Sequence, residues 1–176
     1  ILKSAGMEAD PWQAALLNHM GEARDAAQYL ILCSRQSGKS QTAAAAALLT
    51  ALLDPPATVL VISRAQRQSA EVLRKVKELH RAYRGQHVRQ RPFAPVHLDK
   101  AQLESESSGT AASETELVQD SVLSIELSNG SRVICLPGKA DTTVGYSAVS
   151  LLILDEAARI PDDVYRYMRP MLAVSQ

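Results

Sequence analysis

The stretch "YLILCSRQSGKSQTAAAAALLTALL", residues 29 to 53, decides the fold. Tyr29 to Cys33 is a short apolar run without polar alternation, which predicts a strand covered on both faces in a parallel sheet. The Ala/Leu-rich run that follows favours helix strongly, and Asp54-Pro55-Pro56 stops it. Between the two lies the loop Ser34-Arg35-Gln36-Ser37-Gly38-Lys39-Ser40. The first turn of a helix holds unpaired backbone N–H groups, and its dipole favours anions. Gly38 lets the backbone approach a phosphate, Lys39 can reach the β and γ phosphates, and the Ser40 hydroxyl can ligate Mg²⁺. The expected ligands are therefore a nucleotide and Mg²⁺. An ordinary strand-to-helix turn is the competing reading. The loop departs from G-x-x-x-x-G-K-[ST] at one place, where Cys33 holds the first glycine position.

Working outward, Thr58 to Ser63 ("TVLVIS") reads as a second buried strand, and the segment after it puts Val72, Leu73, Val76, Leu79 and Tyr83 on one helical face. Strand, helix, strand, helix implies right-handed crossovers. The predicted class is α/β, a mostly parallel sheet flanked by helices. "SVLSIEL" and "RVICLPG" around Asn129-Gly130 add an antiparallel hairpin with a type I′ turn. A helix is expected over residues 11 to 20, with Pro11 in its first turn and Gly21 ending it. Residues 85 to 119 read as a poorly ordered or inserted region, with "ESESSGTAASETE" a mobile surface loop.

"LLILDEAARIP", residues 151 to 161, is a third buried strand, and it runs into two carboxylates. The carboxyl edge of such strands is where open α/β sheets bind ligands. Beside a nucleotide on Lys39 and Ser40, Asp155 can supply the second protein anchor of Mg²⁺, leaving Glu156 to orient and deprotonate an attacking water. Alternatively the two acids only cap the turn before Pro161.

The 176 residues suit one domain, and a content of 46% hydrophobic but 4% aromatic residues excludes a disordered tail. Nineteen basic and nineteen acidic residues cancel, so no global footprint for nucleic acid exists. Locally, positions 64 to 91 are basic and positions 99 to 120 acidic, which reads as two solvated surfaces or as a nucleic-acid or subunit contact. Cys33 and Cys135 stand far apart without partners at ligand spacing, which points to neither zinc nor a disulfide framework and to a reducing interior. The chain lacks an apolar run of membrane-spanning length and the layout of a signal peptide, so a soluble, intracellular protein is expected.

"SRQSGKS" together with "LLILDEAA" resembles the ATPase domain of the large terminase subunit of tailed bacteriophages, from about residue 10 to the end. Trp12 and Gln13 match that family's aromatic-Gln pair, which implies adenine contacts; Trp12 reads equally as a core anchor. Arg35 matches its loop arginine, which implies a role on the γ-phosphate. "SNGS" and "TTVGYS" match two further segments, with Val144 where relatives carry an arginine. The resemblance implies a P-loop NTPase of the ASCE type, with Glu156, Arg35 and Lys39 catalytic. The nucleotide contacts would be Trp12, Gln13, Ser34, Arg35, Gln36, Ser37, Gly38, Lys39, Ser40 and Gln41, and the metal ligands Ser40 and Asp155. It implies packaging of double-stranded DNA into a prohead, with the portal protein, the small terminase subunit and a homo-oligomeric ring as partners, in the cytoplasm of an infected bacterium. Residues 1 to 176 would be the N-terminal ATPase domain, ending before a coupling strand and a nuclease domain. A helicase-like ATPase and a nucleotide-binding module that regulates assembly without turnover are the alternatives.

Overall fold

The computed structural model describes residues 1–22, 27–89, 115–138 and 145–172. Helices α1 (Pro11–Glu22), α2 (Lys39–Leu53), α3 (Gln66–Arg89) and α4 (Asp162–Leu172) accompany strands β1 (Thr58–Ser63), β2 (Leu117–Asp120), β3 (Ser124–Leu127), β4 (Arg132–Pro137) and β5 (Val149–Leu154). The strands form one sheet in the order β2-β3-β4-β1-β5. Parallel pairing is confined to β4-β1-β5, and β2-β3-β4 is antiparallel. Ile62 pairs with both Leu136 and Leu154, so the carboxyl ends of the three parallel strands lie together. The candidate site lies at that edge.

β1 is buried along its whole length, which explains its lack of polar alternation. Its side chains nevertheless divide by parity. Val59 and Val61 join Ala44, Ala45, Leu48, Leu73, Val76 and Val133 on one face, while Leu60 and Ile62 join Ile134, Val149, Val164 and Met168 on the other. Ala44, Ala45, Ala47 and Ala51 are fully buried, and their small side chains let α2 lie close to its neighbours. The predicted apolar face of α3 is also the observed one: Val72, Leu73, Val76 and Leu79 are buried, and Tyr83 packs against the same core. Cys135 is buried there, which pushes its thiol up to about 12.

Several expectations are corrected. Tyr29 to Cys33 is not a strand: Leu30 and Leu32 are 83% and 85% exposed, and the segment pairs with no described strand. Apolar content makes a strand only where a neighbour offers a hydrogen-bond ladder, and among the described residues the sheet ends at β5. The β3–β4 turn is not type I′, because Gly130 (φ 81°) is its only left-handed residue. Gly130 N–H donates to Leu127 O and Leu127 N–H to Ser131 O, the bonding of a three-residue turn with a glycine bulge. α1 runs through Gly21 to Glu22. α3 continues through Gly85 to Arg89, and β2 holds residues 117 to 119. Residues 90–114, with most of the acidic segment, lie outside the described residues, as does Val144.

The hairpin tip has a structural task of its own. Asn129 Nδ2 donates to Ala51 O at 2.8 Å, satisfying a carbonyl in the last turn of α2 that the helix leaves free. Its Oδ1 accepts from Ser131 N–H, and Ser131 Oγ accepts from Ala57 N–H. The two oppositely charged segments also meet: Lys77 pairs with Asp120 and Arg84 with Glu116. Arg74 is tied to Glu71 and Glu78 on its own helix. Arg74, Lys77 and Arg84 of the basic run are therefore paired within the chain. No helix among the described residues is long and apolar enough to cross a membrane.

His80, buried on α3, meets Thr115 O at 2.9 Å. Burial holds its pKa below the ordinary 6.5, aided by Arg84 and Arg81 and opposed by the Thr115 carbonyl. The unfolded chain thus takes up a proton near pH 6.5 that the native state refuses, so stability falls as pH drops below that value. Urea midpoints measured between pH 7.5 and 5 should fall more in the parent than in His80→Gln, which lacks that proton.

Candidate nucleotide site

The loop before α2 is shaped by two left-handed residues, Gln36 (φ 61°) and Gly38 (φ 77°). Gly38 precedes the first turn of α2, and no side chain caps that turn. Its N–H groups remain open to an anion. Ser37 Oγ donates to Ser34 O at 2.9 Å, and Lys39 Nζ donates to the carbonyls of Ser34 and Cys33. The lysine is thereby held over the loop that it would serve.

Asp155 and Glu156 arrive from the other side. The Asp155 N–H donates to Ile62 O at 2.8 Å, fixing the end of β5 against β1. Glu156 then adopts φ 55°, ψ 45°, a left-handed conformation that a non-glycine residue holds at a cost, and a short helical turn, Ala157–Arg159, follows. The strain turns consecutive side chains away from simple strand alternation. Both acids still face one cleft of about 500 Å³, whose walls include Arg35, Gln36, Ser37, Gly38, Lys39 and Ser40. Burial, and then the charge of Glu156, push the Asp155 carboxyl above its usual range; the Glu156 backbone N–H, and then Lys39 and Lys75, oppose that rise. Arg159 Nε stands 3.9 Å from Glu156 Oε2.

Of the residues singled out in the sequence, Arg35 to Ser40, Asp155 and Glu156 are brought together, while Ser34 contributes its carbonyl to Lys39. Trp12, Gln13 and Gln41 do not line the cleft. Gln13 is buried behind it: Oε1 accepts from Asp10 N–H, and Nε2 donates to Thr42 Oγ1 at 2.8 Å. It thus caps the start of α1 and ties it to the first turns of α2. Trp12 is partly buried on α1, and Gln41 Nε2 is buried with no hydrogen-bond partner among the described residues. The sequence reading missed the third wall, formed by Arg67, Gln68, Glu71, Val72 and Lys75 of α3. Their helical spacing was visible beside the apolar face, but nothing in it said which flank would meet the loop.

No group of three or more His, Cys, Asp or Glu able to hold a metal occurs among the described residues. The hydroxyl of Ser40 and carboxylate of Asp155 on one cleft are hard oxygen donors, a set that fits Mg²⁺ sharing its remaining positions with phosphate and water.

The domain is thus of the α/β class, with a strand-edge cleft between a glycine-lysine-serine loop and an acidic strand end. It belongs to the family described as terminase large subunit, T4likevirus-type, N-terminal, whose model matches residues 30–168. Among solved structures, the large terminase ATPase domain of Thermus phage P74-26 matches with a TM-score of 0.67 at 20% identity, covering 98% of this chain and 63% of that one. An arginine-to-alanine mutant of the same domain matches with a TM-score of 0.65 at 20% identity, over 99% of this chain and 64% of that one. The chain thus spans less than two thirds of the length of these structures. No curated protein is similar enough to count as a match.

Proposed function

We propose that the chain binds ATP with Mg²⁺ and hydrolyses it, as the motor domain of a viral DNA-packaging enzyme. The observation that carries this reading is the convergence of Arg35–Ser40 with Asp155 and Glu156 on one cleft. Lys39 and the N–H groups opening α2 bind the phosphates, with Ser34, Gln36, Ser37, Gly38 and Gln41 shaping the loop around them. Trp12 and Gln13 serve the adenine end, which requires Gln13 to exchange its bond with Thr42 for one with the base. Ser40 and Asp155 would hold Mg²⁺, which when bound neutralises phosphate charge. Glu156 accepts a proton from a water aligned on the γ-phosphorus; the new P–O bond forms as the bond to the bridging oxygen breaks, releasing phosphate and ADP. Arg35 stabilises the charge that develops on the transferred group.

In the same reading this turnover drives double-stranded DNA into a prohead, on a homo-oligomeric ring joined to a portal protein and a small terminase subunit in the host cytoplasm. Family membership supports this role. The test is calorimetric titration with ATP and Mg²⁺ plus a phosphate-release assay, with and without duplex DNA. Parent protein should bind and turn over ATP, and Lys39→Ala should bind it at least about tenfold more weakly, the loss expected for a charged hydrogen bond. Equal affinity in the two would overturn the assignment of the loop.

A further inference from the structure

We infer that α3 supplies a second cationic wall to the phosphate site, with Lys75, supported by Arg67, contacting the terminal phosphate of the bound nucleotide. The inference rests on the nucleotide reading above and assigns a residue that the loop and the acidic strand do not provide.

The packing of α3 sets the geometry. Burial of Leu73, Val76 and Leu79 in the core fixes the rotation of the helix. Positions 67, 71 and 75, spaced by four, then share the flank that lines the cleft. On that flank, Glu71 is engaged by Arg74 through two hydrogen bonds. Lys75 and Arg67 make no ion pair or hydrogen bond with any described residue, unlike Lys77 and Arg84 on the same helix. Lys75 is also only partly exposed, and its charge reaches the Asp155 carboxylate.

The charge balance of the cleft favours a ligand for these cations. Arg35, Lys39, Arg67, Lys75 and Arg159 face Glu71, Asp155 and Glu156. Five cations against three acids leave an excess of positive charge in the cleft, even with Arg159 near Glu156. A triphosphate supplies the missing negative charge. Because Lys75 lines the same cleft as Asp155 and its charge acts on that carboxylate, the phosphate nearest the acidic strand end is the one that Lys75 meets. A diphosphate leaves that position empty. Lys75 thus discriminates ATP from ADP, which a purely loop-based site does weakly.

The experiment titrates ATP and ADP, each with Mg²⁺, into the parent chain, Lys75→Gln, Lys75→Arg, Arg67→Gln and Lys39→Ala. Lys75→Gln should weaken ATP about tenfold, or about 1.4 kcal/mol, while ADP stays within about twofold. Lys75→Arg should restore ATP affinity, Arg67→Gln should have the smaller effect, and melting midpoints should stay at the parent value. If Lys39→Ala loses both nucleotides while Lys75→Gln keeps the parent ratio of ATP to ADP affinity, the role of Lys75 is refuted and the site reading stands. Equal weakening of both nucleotides by Lys75→Gln also refutes it. Failure of the parent to bind either nucleotide overturns the site and the inference together.

Discussion

Replacing Glu156 with glutamine is expected to leave ATP affinity near its parent value and to cut turnover by about 10²- to 10⁴-fold, the range for loss of a general base. The amide keeps the shape and reach of the carboxylate but cannot accept the proton of the attacking water. In the proposed mechanism Glu156 acts on that water while Lys39 and the start of α2 hold the phosphates, so binding is expected to survive. A second substitution separates chemistry from architecture. Glu156 holds φ 55°, which glycine adopts freely. Glu156→Gly should therefore lose the same turnover while gaining about 1 kcal/mol of stability, the scale of such backbone strain. Glu156→Gln, still carrying a Cβ, should gain none. Phosphate release, calorimetry and thermal melts on the three proteins provide the readouts. Parent-like turnover in Glu156→Gln would remove the residue from the chemistry, and an unchanged melt in Glu156→Gly would remove the strain.

Gly38→Ala is the second large effect, expected to cost about 2 kcal/mol of stability and most of the nucleotide affinity. Two causes combine. At φ 77° an alanine is strained, and its Cβ would lie 2.6 Å from Gln13 Nε2. The glutamine can swing aside only by abandoning Thr42, and with it the tie between α1 and α2. The two causes are separable by a double-mutant cycle with Gln13→Ala, which removes the clash and keeps the backbone strain. Denaturant melts should show that Gly38→Ala costs less in the Gln13→Ala background. Full additivity would mean that the contact carries no energy.

The most legible elements in the sequence were those whose pattern local physics determines. Residues 59–62 of β1 and 151–154 of β5 are apolar runs, α2 is an alanine-rich run ended by prolines, and α3 carries its apolar stripe at helical spacing. The loop Arg35–Ser40 and the pair Asp155–Glu156 were legible for the same reason: each stands at the end of such an element, and the sheet brings the ends together. Tyr29 to Cys33 misled because its composition is that of a strand while its pairing depends on what lies alongside. β2 begins at the end of the stretch 85 to 119, read as poorly ordered or inserted, and its Lys77–Asp120 anchor joins residues far apart in sequence. α4 was not anticipated, although Asp162 and Asp163 open it and Val164 and Met168 recur at helical spacing. The α3 wall was illegible in principle, since helical periodicity gives the buried stripe but not what the adjoining flank faces.

The exposed ribbon from Tyr29 to Leu32 bears on how this chain behaves in a tube. Its side chains present apolar surface on a backbone without a ladder, and β5 ends the described sheet. Such features are templates for edge-to-edge association between molecules. With basic and acidic residues equal in number and a pI near 7.1, little electrostatic repulsion keeps copies apart at neutral pH. The solubility ceiling should accordingly rise when lysine replaces Leu30 or Leu32, and it should be lowest near neutrality, where the colloid carries least charge.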